Sequence, residues 1–120
     1  MKPQRLRSAR EFQKVYAQGT RRAGRLVVVH RCPEQQALKV GVVVGRRVGK
    51  AVVRNRVRRR LRELLRQIPL APGQAVVVAA RAQAAEASFW ELKEELSALL
   101  QELGALAEDG RGGSPTSWSG

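Results

Sequence analysis

The sequence predicts an α+β protein in which helices pack on a small mixed β-sheet. Two segments begin with helix-capping residues and continue with apolar side chains at helical spacing, whereas valine-rich runs elsewhere are typical of strands. A strand, a helix and a strand also follow one another within residues 38–80, and such a unit joins parallel strands. The predicted order is α-β-β-β-α-β-α, and the number of strands between the first two helices stays open, because residues 20–45 have room for two or three.

The first helix is predicted over about residues 8–18. Ser8 and Glu11 have the spacing of a capping box, in which each side chain hydrogen-bonds the backbone amide of the other residue. Gly19 supplies a stop at the other end of the helix. Three side chains in between share one helical face, which the helix can turn toward a core: Phe12, Val15 and Tyr16.

Two β-rich runs follow, at residues 25–31 and 38–45. The spacing between them predicts an antiparallel hairpin with a longer loop. Both runs are fairly apolar on both faces, which is typical of strands that are covered on two sides for part of their length. His30 and Cys32 lie two residues apart near the end of the first run, but two ligands without a companion make a poor metal site.

A glycine-flanked basic loop, residues 45–50, leads into the most informative segment of the chain. This segment, AVVRNRVRRRLRELLRQI, is predicted to be helical over residues 51–67, and Pro69 and Pro72 end the helix. At about 100° per residue its apolar side chains form one stripe, which must face the core. The stripe consists of Val53, Val57, Leu61, Leu64, Leu65 and Ile68.

Arginine covers almost all of the helix outside that stripe. The arginines are Arg56, Arg58, Arg59, Arg62 and Arg66 on the outer face, with Arg54 and Arg60 at its two flanks. Like charges four residues apart repel by a few tenths of a kcal/mol per pair, and only Glu63 offsets them within the helix. A solvated surface helix usually mixes both signs of charge. Because the guanidinium fork pairs bidentately with phosphate and stacks on bases, this face predicts a nucleic-acid partner.

The start of this helix adds two further features. Its free backbone amides and positive dipole end lie beside Lys50 and Arg54, an arrangement that suits a phosphate. Asn55 carries an amide that can contact a ribose 2′-hydroxyl, a base edge or a hydrated metal ion held by RNA. It can equally be an ordinary polar residue in a first helical turn.

The remaining elements are a strand, a helix and a tail. Gln74–Ala80 is continuously apolar, which is typical of a buried central strand. Ser88 and Glu91 have the spacing of a second capping box, and leucines at helical spacing follow it. We therefore expect one domain over residues 1–104 and a mobile, low-complexity tail over residues 105–120.

Positive charge is concentrated in the first two-thirds of the chain. The 120 residues carry 23 Lys and Arg against 10 Asp and Glu, a formal net charge of +13, and the pI is about 11.6. Residues 1–85 hold 21 Lys and Arg against 3 Glu, a balance of +18. Residues 86–120 hold 2 against 7, a balance of −5. This asymmetry favours a defined binding face for a polyanion.

The composition argues against a membrane protein and against a disulfide-linked secreted protein. No apolar run approaches the roughly 18–20 residues of a membrane span, and none follows a basic start as in a signal peptide. The arginine-rich helix also lacks the Trp and Phe anchors of a helix that lies on a membrane. Cys32 is the single cysteine, so no intrachain disulfide can form and we expect a cytoplasmic protein.

Four blocks of the chain, taken in order, resemble the bacterial ribonuclease P proteins. Residues 50–59, KAVVRNRVRR, match the RNR signature of that family, K-A-V-x-R-N-R-[IV]-[KR]-R. EFQKVYAQGTR (11–21) is similar to its first helix, and LKVGVVVGRRVGKAV (38–52) to its strand and basic loop. VVVAARAQAA (76–85) is similar to the strand that ends in an arginine before the last helix.

The resemblance implies a function for the chain. In that family a partner RNA hydrolyses the phosphodiester bond with Mg²⁺, and the protein binds both that RNA and the 5′ leader of precursor tRNA. It implies that the protein alone is non-catalytic and binds no cofactor, and that it needs neither a membrane nor an obligate protein partner. It also implies a left-handed β-α-β crossover, where the general rule favours a right-handed one.

The resemblance also assigns two sets of site residues. Contacts to the partner RNA fall on Arg46, Arg47, Lys50, Arg54, Asn55, Arg56, Arg58, Arg59 and Arg62. A cleft for the leader, between the first helix and the sheet, falls on Phe12, Tyr16 and His30. The family often has tyrosine where His30 stands, although an imidazole can also stack on a base. Core packing accounts for the periodicity of Phe12 and Tyr16 equally well.

Three other functions are possible. A ribosome-associated assembly factor of similar fold would have the same basic face. A DNA-binding protein would insert the arginine helix into the major groove, but no helix-turn-helix partner precedes that helix. A protein-only nuclease would need paired carboxylates beside the basic face, whereas the acidic residues lie mainly in the last helix.

Overall fold

A computed structural model of the chain describes residues 4–34 and 37–107, and within them one five-stranded sheet carries three helices. The strands are β1 (Gln4–Arg5), β2 (Thr20–Ala23), β3 (Val27–Pro33), β4 (Lys39–Val44) and β5 (Gln74–Ala80). The helices are α1 (Ala9–Gln18), α2 (Ala51–Gln67) and α3 (Phe89–Glu102), with short 3₁₀ turns at Arg46–Val48 and Ala82–Glu86. The predicted α+β class is confirmed, with three strands between α1 and α2.

The order of the strands corrects one prediction. The sheet runs β1-β4-β5-β3-β2, so β3 and β4 do not form a hairpin and β5 lies between them. β5 pairs antiparallel with β3 and parallel with β4, which confirms the predicted parallel pair. The physical reason is the apolar character of β5 on both faces, which is best buried at the centre of the sheet. The hand of the β4-α2-β5 crossover stays a prediction from the family resemblance.

Alternate residues of β5 belong to two cores on opposite faces of the sheet. Val76 and Val78 pack with the apolar stripe of α2 and with the leucines of α3. Ala75 and Val77 pack with α1, through Val15 and others. Because side chains of a strand alternate between its faces, α1 covers one face and the pair α2 and α3 covers the other.

Both predicted capping boxes are present. The hydroxyl of Ser8 accepts a hydrogen bond of 3.2 Å from the amide of Glu11, and the Glu11 carboxylate accepts from the amides of Arg7 and Ser8. Nζ of Lys39 lies 3.0 Å from the same carboxylate and ties α1 to β4. These hydrogen bonds, those from the backbone first, lower the pKa of Glu11 to about 2. The Ser88 and Glu91 box begins α3 in the same way.

The strand β1 is an element that the sequence did not predict. It pairs parallel with β4 at the edge of the sheet, through the amides of Gln4 and Leu6, which donate to the carbonyls of Leu38 and Val40 at 2.9 and 2.8 Å. Two residues are too short for an alternating pattern, so no local signal marks this strand.

The fold also continues three residues beyond the predicted end of the domain. Ala105 is fully buried, and Leu106 forms an isolated antiparallel bridge with Leu70. The buried Gln74 donates to the carbonyl of Ala105 at 2.7 Å. The boundary therefore moves from residue 104 to at least 107, and the rest of the predicted tail, residues 108–120, lies outside the described residues.

Candidate nucleic-acid interface

The side chains singled out by the sequence form two surfaces on opposite faces of the sheet. The aromatic residues are on the α1 face, because Phe12 packs with the core beside Ala75 and Val77. The arginines belong to α2 on the other face. The two surfaces meet at one end of the sheet, since residues 45–50 leave the end of β4 and lead into α2.

The basic loop is held in place from both sides. Val48 is buried and anchors the 3₁₀ turn, whereas Arg46 and Arg47 are exposed. Gly49 has a φ of 147°, a value that an L side chain rarely adopts. Its carbonyl accepts a hydrogen bond of 3.1 Å from Nε of Arg54, so the first turn of α2 fixes the loop.

The start of α2 leaves its amides free for a ligand. Lys50 is exposed, and it precedes Ala51 without making a side-chain cap. The N–H groups of a first helical turn have no partner within the helix, and the dipole makes this end positive. The exposed Arg46, Arg47 and Lys50 directly precede this helix end, an arrangement that suits a phosphate.

Two arginines on one flank of α2 bind protein carbonyls. Nη2 of Arg56 donates to the carbonyl of Ala85 at 3.4 Å, and Nη1 of Arg60 donates to that of Ala87 at 3.1 Å. Nε of Arg56 is buried and has no hydrogen-bond partner among the described residues. Arg56 thus holds the connection between β5 and α3, and it presents only part of its guanidinium to a ligand.

The other flank of α2 faces solvent and the edge strand. Nη1 of Arg58 donates to Oδ1 of Asn55 at 2.8 Å, so the two side chains lie side by side on the helix surface. Arg59 and Arg62 are exposed. A cavity of about 380 Å³ lies between this flank and Arg5 of β1, a residue that the sequence did not single out.

The aromatic cleft contains one side chain that packs inward and one that is open to solvent. A Cβ atom at Gly41 would lie 2.6 Å from Cε1 of Phe12, so the glycine lets this half-buried ring lie directly on β4. Tyr16 is 44% exposed, and its ring meets that of His30 edge to face with centroids 4.8 Å apart. The structure therefore brings Phe12, Tyr16 and His30 onto one face.

The two rings of this pair differ in their electrostatics. Burial raises the pKa of the Tyr16 hydroxyl above its ordinary value. Burial and then the positive charge of Arg21, which is opposite His30 in the β2–β3 register, lower the pKa of the imidazole below 6.5. His30 is therefore neutral at pH 7. Its Nδ1 is buried without a hydrogen-bond partner among the described residues.

A half-buried apolar strip continues the cleft toward the basic loop. Ala79 is in register with Val28 on one side and with Val43 on the other. These three residues lie two positions along their strands from the row of His30, Val77 and Gly41, so they are on the same face. The strip ends near Gly45, where the loop begins.

Glu95 of α3 fixes the turn between β2 and β3. Its carboxylate accepts hydrogen bonds from three consecutive backbone amides, those of residues 25, 26 and 27, at 3.0, 2.7 and 2.8 Å. Nη1 of Arg81 also donates to the carbonyl of Gly24 at 3.1 Å. No local pattern predicts this clamp, because its partners are about seventy residues apart.

Residues 4–34 and 37–107 contain neither a metal-binding cluster nor a membrane-spanning helix. No group of three or more His, Cys, Asp or Glu side chains within residues 4–34 and 37–107 is arranged to hold a metal ion. In the same part of the chain, no helix has the length and apolar character needed to cross a membrane.

Comparisons with known proteins agree on one family. The family model for ribonuclease P matches residues 1–104. The ribonuclease P protein component of Geobacillus sp. (strain WCH70) is 36% identical over 112 residues, which cover 90% of this chain and 97% of that protein. The RNase P protein of Thermotoga maritima superposes with a TM-score of 0.72 at 30% identity, covering 82% of this chain and 96% of that one. The Staphylococcus aureus RNase P protein, at 24% identity, matches the fold with a TM-score of 0.78 and covers 88% and 100%.

Proposed function

This chain belongs to the ribonuclease P protein family, and from that premise we propose that it is the RNA-binding subunit that helps a catalytic RNA remove the 5′ leader of precursor tRNA. In this proposal the holoenzyme is an endoribonuclease of the cytoplasm. The partner RNA and its Mg²⁺ ions carry out hydrolysis, and the protein supplies affinity and positioning.

The main support for the proposal is that the aromatic cleft and the arginine face of α2 meet at residues 45–50. An RNA strand that lies in the aromatic cleft and follows the apolar strip arrives at Gly45, at one end of the sheet. Arg46 and Arg47 are exposed at that point, and the uncapped start of α2 follows. One continuous surface therefore suits a single strand on one side and a folded, highly charged RNA on the other.

The two parts of this surface suit different parts of an RNA substrate. Unpaired bases stack on aromatic rings, so Tyr16 and His30 are placed to hold an unpaired leader. The strip made by Val28, Val43 and Ala79 gives the flat faces of bases an apolar contact. The arginines of α2 instead contact phosphates, which provide affinity without reading sequence.

Arg58 and Asn55 illustrate how α2 can be prepared for RNA. Because Oδ1 of Asn55 accepts from Arg58, its Nδ2 group stays free to donate to a phosphate or a 2′-hydroxyl. The remaining N–H groups of Arg58 point to the same surface as those of the exposed Arg59 and Arg62. Several donors thus converge on one RNA backbone.

Reconstitution with a bacterial ribonuclease P RNA tests the proposal. Cleavage of precursor tRNA is measured at low Mg²⁺ with and without the protein, because phosphate neutralisation by the protein then matters most. We expect clear stimulation by the full chain, much less with an Arg46→Ala, Arg47→Ala variant, and full stimulation with Lys93→Ala on α3. The protein without RNA should cleave nothing.

Each alternative has its own signature in this experiment. Absence of stimulation would favour the assembly factor. Cleavage by the protein alone, abolished by a Glu→Gln change, would favour a protein-only nuclease.

A further inference from the structure

A cavity of about 250 Å³ lies between α1 and the sheet, on the opposite flank of α1 from the aromatic cleft. Phe12 and Tyr16 project from one flank of this helix, whereas Arg10 and Lys14, which are one turn apart, line the cavity from the other flank. The residues that line it belong neither to the basic loop, nor to the RNR signature, nor to the aromatic cleft. The cavity is therefore separate from the surfaces proposed to bind RNA.

The inner wall of the cavity is apolar. Leu6, Val15, Cys32 and Ala75 line it, and each of them is at most 8% exposed. These four side chains belong to the small core between α1 and the sheet. Sγ of Cys32 donates to the carbonyl of Pro33 at 3.4 Å, so the thiol adds no free donor to the wall. The inner part of the cavity therefore suits a hydrocarbon or aromatic group.

The rim of the cavity is charged, with three cations and two carboxylates among the described residues, a balance of +1. Nζ of Lys39 lies 3.0 Å from Oε2 of Glu11, and Nζ of Lys14 lies 3.9 Å from Oε2 of Glu34. Arg10 is exposed and has no ion-pair partner within residues 4–34 and 37–107. The like charges of Arg10 and Lys14 repel each other across one helical turn, and a bound anion would relieve that repulsion.

The volume and the charges of the cavity define the class of ligand. At about 250 Å³ the cavity is just smaller than the roughly 300–1,000 Å³ of drug-sized sites, so it admits a single ring with a short side group. The balance of +1 matches a carboxylate better than a phosphate dianion, whose second charge would lie near Glu11 and Glu34. The guanidinium of Arg10 can pair with a carboxylate through two parallel hydrogen bonds.

We propose that this cavity, the α1 pocket, binds a small organic carboxylate. The apolar body of the ligand lies against Val15, Cys32 and Ala75, and its carboxylate pairs with Arg10 and Lys14. The proposal rests on the cavity alone and is independent of the proposed function. Because the pocket forms only when α1 packs on the sheet, the ligand binds the folded chain and raises its melting temperature.

The test uses benzoate as the probe and the full chain as the protein. Benzoate is titrated into the free protein while the chemical shifts of the backbone amides are followed by NMR. We expect the largest changes at Arg10, Lys14, Cys32 and Ala75, and little change at Tyr16. Benzamide, which has the same ring without the charge, should bind much more weakly. Changes confined to α2 would show that the anion binds only the arginine helix, which overturns the α1 pocket.

Variants of the rim test the charged contacts. Arg10→Gln should weaken benzoate binding about tenfold, the effect of one lost charge-assisted hydrogen bond, and reduce the rise in melting temperature. Lys14→Gln should have a smaller effect, because Glu34 already faces this lysine. Arg7→Gln is the matched control, since Arg7 is an exposed arginine of the same segment outside the pocket. Equal benzoate affinities of Arg10→Gln and Arg7→Gln would overturn the proposal.

A competition experiment separates the α1 pocket from the aromatic cleft. Precursor tRNA bound to the holoenzyme should leave the affinity for benzoate unchanged, because Phe12 and Tyr16 are on the other flank of α1. Displacement of benzoate by precursor tRNA, and not by mature tRNA, would mean that the leader occupies the cavity, which overturns the assignment to a small molecule. An absence of benzoate binding would also overturn it. Both failures are compatible with stimulated cleavage of precursor tRNA, so they leave the proposed function standing.

Discussion

Tyr16 and His30 set the chemistry of the aromatic cleft at the scale of single residues. Tyr16 is partly exposed, and its ring packs edge to face against that of His30, with 4.8 Å between the ring centroids. Because this contact restricts the ring in the free protein, the ring loses little conformational entropy when a base stacks on it. His30 is neutral at pH 7, so the pair combines a stacking surface with an uncharged imidazole.

Replacing Tyr16 with alanine should weaken binding of precursor tRNA to the holoenzyme by about 1–3 kcal/mol, the range for one lost base–aromatic stack. Mature tRNA lacks the leader, so its affinity should not change. Dissociation constants for both RNAs check this, with Tyr16→Phe as the control that keeps the ring. Equal losses for precursor and mature tRNA would count against a leader site at this position.

His30 should make the stability of the free protein depend on pH. Its folded-state pKa lies below 6.5, so the unfolded chain binds the proton more strongly. The free energy of unfolding therefore falls as the pH drops through 6.5 toward the folded-state pKa of His30. At higher pH the imidazole is neutral in both states and does not lower the stability. Urea unfolding at about pH 7.5 and 5.5 should show a smaller fall for His30→Phe than for the wild type. An identical fall in both proteins would contradict the assignment.

The clamp by Glu95 shows how one element holds another. The turn between β2 and β3 has three consecutive amides on a single carboxylate of α3. Glu95→Ala should lower the free energy of unfolding by about 2–3 kcal/mol, because it removes charge-assisted hydrogen bonds and leaves partly buried amides without a partner. Urea denaturation measures this loss. Glu95→Gln should lose less, and the exposed neighbour Glu94→Ala should lose almost nothing.

The arginines of α2 should dominate the salt dependence of RNA binding. In an Arg54→Ala, Arg56→Ala variant the log–log salt slope should fall by roughly 1.4–1.8 if both contact phosphates. A fall of only half that size would mean that Arg56 serves mainly to hold the carbonyl of Ala85. Lys93→Ala, on the acidic helix α3, is the control. A flat salt dependence of the wild type would contradict an electrostatic interface.

The whole molecule carries its charge unevenly, and this should govern its stability without RNA. The first 85 residues have a balance of +18. Such self-repulsion destabilises a compact state, and salt screens it. Raising NaCl from about 20 to 200 mM should therefore raise the melting temperature. The rise should be smaller in an Arg59→Gln, Arg62→Gln variant, and a melting temperature that falls with salt would contradict the expectation.

Local sequence patterns predicted the structure correctly where contacts between neighbouring residues determine it. Both capping boxes form as expected. Most of the predicted apolar stripe of α2 is buried, from Val57 to Ile68, because helical spacing alone puts those side chains on one side. β5 is buried at the centre of the sheet for the same kind of reason, since its apolar residues leave no face for water.

Long-range contacts determine the strand order and the position of the Arg56 side chain. The predicted hairpin of β3 and β4 was wrong because a third strand, thirty residues further on, fits between them better than they fit each other. Arg56 belongs to the outer face by spacing, yet a carbonyl almost thirty residues away draws its guanidinium inward. No local sequence pattern predicts the position of β5 between β3 and β4 or the hydrogen bond of Arg56.

The α+β class, the helices, the basic face and the resemblance to ribonuclease P proteins are all readable from the amino-acid sequence. They follow from residue type and spacing, which act over one or two turns of chain. The strand order, the Glu95 clamp and the cavity between Arg5 and α2 are visible only in the folded chain. Those features depend on which distant segments bury each other's surfaces, and that choice is made by the whole chain at once.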